Sequence, residues 1–63
     1  MDFIDNIKTS RGNYYKVFWD KDNYGVEFSQ NAYGPFHKAP AARDEDEALK
    51  NAKNEAENIE RIG

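Results

Sequence analysis

The strongest constraint in this chain is a pair of aromatic, strand-forming runs separated by a short polar break. Tyr14-Tyr15-Lys16-Val17-Phe18-Trp19 is followed by Asp20-Lys21-Asp22-Asn23 and then by Tyr24-Gly25-Val26-Glu27-Phe28. Alternate side chains of a strand point to opposite faces, so Tyr15, Val17 and Trp19 share a face with Tyr24, Val26 and Phe28. With Asp20 to Asn23 as the turn, Trp19 lies opposite Tyr24, Val17 opposite Val26, Lys16 opposite Glu27, and Phe18 opposite Gly25. An ion pair across the ladder and a ring beside a strand glycine both favour that register. A hairpin alone is not stable in water, so its apolar face needs a cover.

Residues 44–62 supply that cover as a helix. Asp44 can cap it and Glu47 can reach back, while Glu45 and Asp46 complement the positive end of the helix dipole. Ala48, Leu49, Ala52, Ala56, Ile59 and Ile62 form one apolar stripe, and its alanines let the helix lie close to a sheet. The spacing predicts an α+β fold, a two- or three-stranded antiparallel sheet packed against one C-terminal helix. A third strand is expected around Phe36 to Ala42 on an edge, since Pro35 and Pro40 each lack an amide donor; the alternative is an ordered loop plugged by Phe36. Thr9 to Asn13 reads as a loop. Phe3, Ile4 and Ile7 sit one helical turn apart, which predicts a short helix over 2–8, with an edge strand as the alternative. Residues 1–63 then form a single domain, with a short segment at 1–8, the sheet and its loop at 13–42, and the helix at 44–62.

At 63 residues the chain is near the lower size limit for folding without disulfides or metal, and it has no cysteine. An aromatic content of 14% makes a core feasible, because each ring buries a large area. The absence of cysteine fits a reducing compartment, and no apolar run is long enough for a signal peptide or a membrane span. A cytoplasmic protein without membrane attachment is the expectation. Net charge is −3, unevenly spread: residues 1–43 carry six basic against five acidic side chains, and residues 44–63 three basic against seven acidic. Such a helix repels phosphate, so any nucleic-acid contact must come from the sheet.

Little here can carry a reaction. Asp20-Lys21-Asp22-Asn23-Tyr24-Gly25 imitates the start of a calcium loop, but Tyr24 and Asn31 stand where further oxygen ligands are required. His37 is the only histidine, and without cysteine a zinc site would need several carboxylates brought close to it. Neither Ser10, Thr9 nor Ser29 sits in a nucleophile setting, and the glycines are too scattered for a phosphate loop. Carboxylates cluster only on the solvated helix, which does not raise a pKa toward general-acid use. The expectation is a protein that is not an enzyme and needs no cofactor or metal.

Two surfaces remain. Tyr14, Lys16 and Phe18 point to the sheet face away from the helix, with Tyr33 near them, unless Phe3, Ile4 and Ile7 fold over it. Exposed aromatics beside a lysine can anchor a protein partner or stack bases. The second surface is the acidic helix, where Asp46–Lys50 and Glu57–Arg61 have ion-pair spacing. Asp44, Glu45, Asp46 and Glu47 at its start, with Glu55, Glu57 and Glu60 further on, can face a basic groove on another protein.

In outline, the stretch Val17-Phe18-Trp19-Asp20-Lys21-Asp22-Asn23 and the helix start Asp46-Glu47-Ala48 resemble the arm-binding N-terminal domains of phage-type integrases. The likeness spans roughly Tyr14 to Glu60 and implies a three-stranded sheet with one helix. Those domains read DNA with basic strands, whereas the expected strands here carry only Lys16 and Lys38. The outline is also similar to HicB-type antitoxin domains. As a short, cysteine-free, acidic single domain the chain resembles small phage-encoded inhibitors of the anti-CRISPR kind, which implies binding to a nucleic-acid-handling complex. The expected function is therefore a small non-enzymatic binding protein, monomer or homodimer, that docks an acidic and aromatic surface onto such a protein complex. A nucleic-acid-binding module built on Tyr14, Lys16 and Phe18 is the alternative.

Overall fold

A computed structural model of the chain describes residues 1–62. The elements run β1 (Asp2–Lys8), β2 (Tyr14–Trp19), β3 (Val26–Ser29), β4 (His37–Ala39) and α1 (Glu45–Ile62). The strands form one antiparallel sheet in the order β1-β2-β3-β4, a simple meander, and α1 crosses one of its faces. The α+β class and the covering helix are as expected; the sheet has four strands rather than two or three.

The additional strand is β1, so residues 2–8 take the edge-strand alternative rather than the short helix. The β1–β2 register shifts between Phe3 and Asp5, so Ile4 is an extra residue. This bulge puts Ile4 and Ile7 on the same inward face although they are three apart. A spacing of three is what one turn of helix would also show, hence the misreading. Phe3 instead points outward, opposite Phe18.

The β2–β3 register also differs from expectation, by two residues. Trp19 pairs with Val26, Val17 with Phe28, Phe18 with Glu27, and Lys16 with Ser29. The turn chemistry explains the shift. Asp20 Oδ1 accepts from the backbone amides of Asp22 (2.9 Å) and Asn23 (3.2 Å), and its Oδ2 accepts from Asn23 Nδ2 at 3.1 Å. Tyr24 takes a left-handed φ of 66° and donates its amide to the Asp20 carbonyl at 2.6 Å, lengthening the connection. The ion pairing expected between Lys16 and Glu27 is replaced by a ladder position shared by Glu27 and Lys38. A shift of two preserves the alternation, so Val26 and Phe28 keep the core face, but Tyr24, expected beside them, sits in the turn outside β3 and is 45% exposed.

The shift brings Phe28 to the centre of the core. Its ring is fully buried, packed edge to face on Tyr15 at 5.5 Å and against the His37 ring at 5.2 Å. Above it, Ala48, Ala52 and Ala56 are also completely buried, one turn apart along α1. Side chains this small let the helix backbone settle onto the strands, and Leu49 and Ile59 flank the contact. Asp44 caps α1 by accepting the Glu47 amide at 2.8 Å, and Glu47 reaches back to the Arg43 amide at 2.8 Å, one residue beyond the usual reciprocal partner. The link from β4 into α1 is pinned at Ala42, whose amide donates to the Tyr24 carbonyl (2.9 Å) and whose carbonyl accepts from Trp19 Nε1 (2.8 Å).

Both sheet edges are protected from further strand pairing. β4 spans three residues between Pro35 and Pro40, and β1 carries its bulge together with Asp2, Asp5 and Lys8. Among the described residues no helix is long and apolar enough to cross a membrane.

Candidate docking face

Because α1 covers one face of the sheet, the other lies open. The ladder pairs fix its layout: Lys8 beside Tyr14, Asn6 beside Lys16, Phe3 beside Phe18, and Glu27 between Phe18 and Lys38. Phe36, just before β4, joins them. Its ring meets Phe18 at 5.6 Å and 76°, while Phe3 meets Phe18 from the other side at 5.8 Å and 67°. The result is an edge-to-face cluster of rings on the surface, with Phe3 and Phe36 about half exposed and Tyr14 more so. Lys16 Nζ sits 5.4 Å from the Phe3 ring centre and Lys8 Nζ 5.6 Å from that of Tyr14. Of the segment expected to fold over this face, only Phe3 does so; Ile4 and Ile7 turn to the helix side.

The loop after β3 continues the surface. Ser29 is fully buried; its hydroxyl accepts the Asn31 amide at 3.3 Å, and Asn31 Oδ1 accepts the Tyr33 amide at 2.8 Å. Gly34 has a φ of +92°, and a side chain there would meet the Phe36 ring at 2.9 Å. The loop is thus tied down on both sides of Tyr33, which is itself 94% exposed.

The acidic residues lie on α1, across the sheet from Tyr14, Lys16 and Phe18, so the two expected surfaces are on opposite sides; several of the carboxylates, however, are used within the chain. Asp44 and Glu47 are engaged in the cap. Glu57 accepts from the Ser10 amide (3.0 Å) and hydroxyl (2.8 Å), turning to the β1–β2 turn rather than to Arg61. Glu60 Oε2 accepts from the Tyr15 hydroxyl (2.8 Å) and Asn13 Nδ2 (3.0 Å). Two carboxylates near the end of α1 therefore hold a turn some 47 residues earlier in the chain. Of the proposed acidic contacts, Glu45, Asp46 and Glu55 are left without such an internal role among the described residues.

These bonds alter the titration of the groups involved. Burial opposes charge on Glu60, yet neighbouring Thr9, Tyr15 and Asn13 and the positive charge of Arg11 outweigh it and hold the carboxyl below its usual range. Its Oε1 is enclosed without a hydrogen-bond partner of good geometry. Burial, then the hydrogen bond and charge of Glu60, push the Tyr15 phenol up to about 12. The Asn23 side chain and the Asp22 and Asn23 amides hold Asp20 low, and its oxygens serve the turn. Among the described residues no cluster of three or more metal-ligating side chains forms. His37 lies in β4 against Phe28. A polar groove of about 700 Å³ runs beside the clamp, lined by Ser10, Arg11, Asn54, Glu57, Asn58 and Arg61 among others.

Sequence reasoning found Tyr14, Lys16 and Phe18 and left out Phe3, Lys8, Phe36 and Lys38 as members of the same face. A period-two reading of residues 2–8 that allowed one bulge would have found Phe3 and Lys8. Set against known protein families, curated proteins and solved structures, the chain matches none. The fold and site define a class in physical terms only: a small α+β domain with one open aromatic sheet face.

Proposed function

We propose that this is a non-enzymatic binding protein that occupies a surface on a larger protein, with the open sheet face as its anchor. Its sharpest form is an inhibitor, of the anti-CRISPR kind, that docks onto a host nucleic-acid-handling complex. The observation that carries the reading is the ring cluster Phe3–Phe18–Phe36, left uncovered in a chain small enough to need its aromatics for core. Buried aromatic anchors supply most of the affinity of protein interfaces. Glu45, Asp46 and Glu55, on the far side, contribute field and approach rate rather than contact.

Affinity capture from host lysate, after nuclease treatment, tests this. The native chain should recover one protein complex in stoichiometric amount. Tyr14→Glu should lose it, and Asp46→Lys should keep it while slowing association at low salt. Equal recovery by Tyr14→Glu would remove the sheet face from the account.

A second reading, a nucleic-acid-binding module, gains one observation. Strands β1 and β4 add Lys8 and Lys38 to the face that carries Lys16. It predicts a mobility shift with oligonucleotides that is strongest at low salt.

A further inference from the structure

We infer that the end of the open sheet face around Lys8, Tyr14 and Lys16 takes a carboxylate-bearing segment of a protein partner. The acid lies beside Lys16, and a neighbouring apolar side chain rests on the Phe3–Phe18–Phe36 ridge. This inference rests on the docking reading above and adds the part of the face that is used and the partner's chemistry.

The first argument is where the charge sits. The open face carries Lys8, Lys16 and Lys38 against Glu27, in a chain whose net charge is −3, so it is a positive patch on an acidic molecule. The patch is also uneven. Lys38 has Glu27 as its ladder partner, whereas Lys8 and Lys16 are paired with Tyr14 and Asn6. Asp5, the acid nearest to them along β1, is paired with inward-facing Val17, and its Oδ1 accepts the Asn6 amide at 2.8 Å. The uncompensated charge therefore lies at the Lys8–Lys16 end. Complementary charge steers approach and fixes register at an interface, so this end calls for an anionic counterpart. A second copy meeting it face to face would bring the same excess of lysine.

The second argument is shape and donors. Beside Lys16 the surface dips into a hollow of about 210 Å³, lined by Asn6, Tyr14 and Gln30 among others. That is smaller than the roughly 300–1,000 Å³ of a small-molecule pocket and suits a single side chain. One ammonium and two carboxamides offer it donors that a carboxylate can accept from. The exposed rings of the ridge begin one ladder position away, where Phe3 is paired with Phe18. A segment with an acid next to an apolar residue meets both at once.

The third argument separates protein from nucleic acid. Base stacking needs ring faces turned to solvent. Lys8 and Lys16 already sit over the Tyr14 and Phe3 rings, and Phe18 meets its neighbours edge to face rather than in parallel. A nucleic-acid strand also carries its charge past so small a patch and into the field of the acidic remainder of the chain. The acids of a protein segment can be confined to the Lys8–Lys16 end.

The test places a photo-reactive benzoylphenylalanine at position 14, or at position 53 on α1, in the full chain, and irradiates each in nuclease-treated host lysate. Expected is a crosslink from 14 to one protein, at a peptide with aspartate or glutamate beside the attachment point, and none from 53. With that protein purified, Lys8→Glu and Lys16→Glu should each lower affinity at least about 10-fold at low salt, and Lys38→Glu less than about 3-fold. The gap should narrow at high salt, where exposed charges are screened. Exchanging the partner's crosslinked acid for lysine should restore the binding of Lys16→Glu. Lys8 is exposed, so Lys8→Glu tests the charge without disturbing the packing. Crosslinking from 14 with Lys8→Glu binding as tightly as the native chain, or no more weakly than Lys38→Glu, would overturn the carboxylate site and leave the docking face standing. No crosslink from 14 would overturn the docking reading itself. A mobility shift of (dT)20 at low salt that disappears with Lys16→Glu would overturn the choice of a protein partner.

Discussion

Replacing Phe28 tests the packing argument most directly. The ring is fully buried, opposite Val17, between the Tyr15 and His37 rings. Phe28→Ala removes nearly all of a large side chain and leaves a cavity, because strands fixed by hydrogen bonds close in only partly. Such a change costs about 3–5 kcal/mol. A single core in a chain this short rarely supplies more than about 3–5 kcal/mol in total. The two magnitudes are equal, so Phe28→Ala should be largely unfolded at 25 °C. Phe28→Leu keeps an apolar group but forfeits the edge-to-face contact with Tyr15, worth about 0.5–1.5 kcal/mol, and some volume. At about 4–8 °C per kcal/mol for a small domain, it should melt roughly 10 °C below the parent. Thermal unfolding followed by far-ultraviolet circular dichroism and by Trp19 fluorescence reads both. Phe36→Leu, a half-exposed ring on the outer face, is the control and should shift the midpoint by far less. A folded Phe28→Ala melting within a few degrees of the parent would refute the view that the shifted register places the core on this residue.

Asp44→Ala should cost about 1 kcal/mol, the usual loss of a helix cap, seen as a lower urea midpoint with unchanged slope; an unchanged midpoint would mean the cap is dispensable. The clamp of Tyr15 on Glu60 predicts pH dependence at both extremes. Glu60 titrates below its ordinary 4.5 when folded, so its contribution is present above that value and is lost as pH falls through the folded value. Tyr15 is raised from 10.0 to about 12, so its contribution is present below pH 10 and is lost between 10 and about 12. Urea midpoints should therefore fall less steeply in acid for Glu60→Gln, and less steeply between pH 10 and 12 for Tyr15→Phe, than for the native chain. Parallel curves would show that the hydrogen bond carries no linkage.

What the sequence by itself determined is local. The helix, its Asp44 cap, its alanine stripe and the division of the hairpin into two faces follow from spacing within a few residues, where capping and side-chain alternation act. Only the tertiary structure decided the rest. The register of β2 on β3 depended on how Asp20 and Tyr24 build their turn, and pairwise matching of Lys16 with Glu27 could not anticipate it. The strand β1 was hidden because one bulge gives Ile4 and Ile7 a helical spacing, and Lys8 was lost to the face along with it. Glu57 and Glu60 look like free helix charges until the chain brings Ser10, Asn13 and Tyr15 beside them. The open face is likewise a property of the assembled sheet. A single helix can cover one side of four strands, and the rings and lysines on the other side become a surface only when β1, β2 and the loop before β4 lie next to one another.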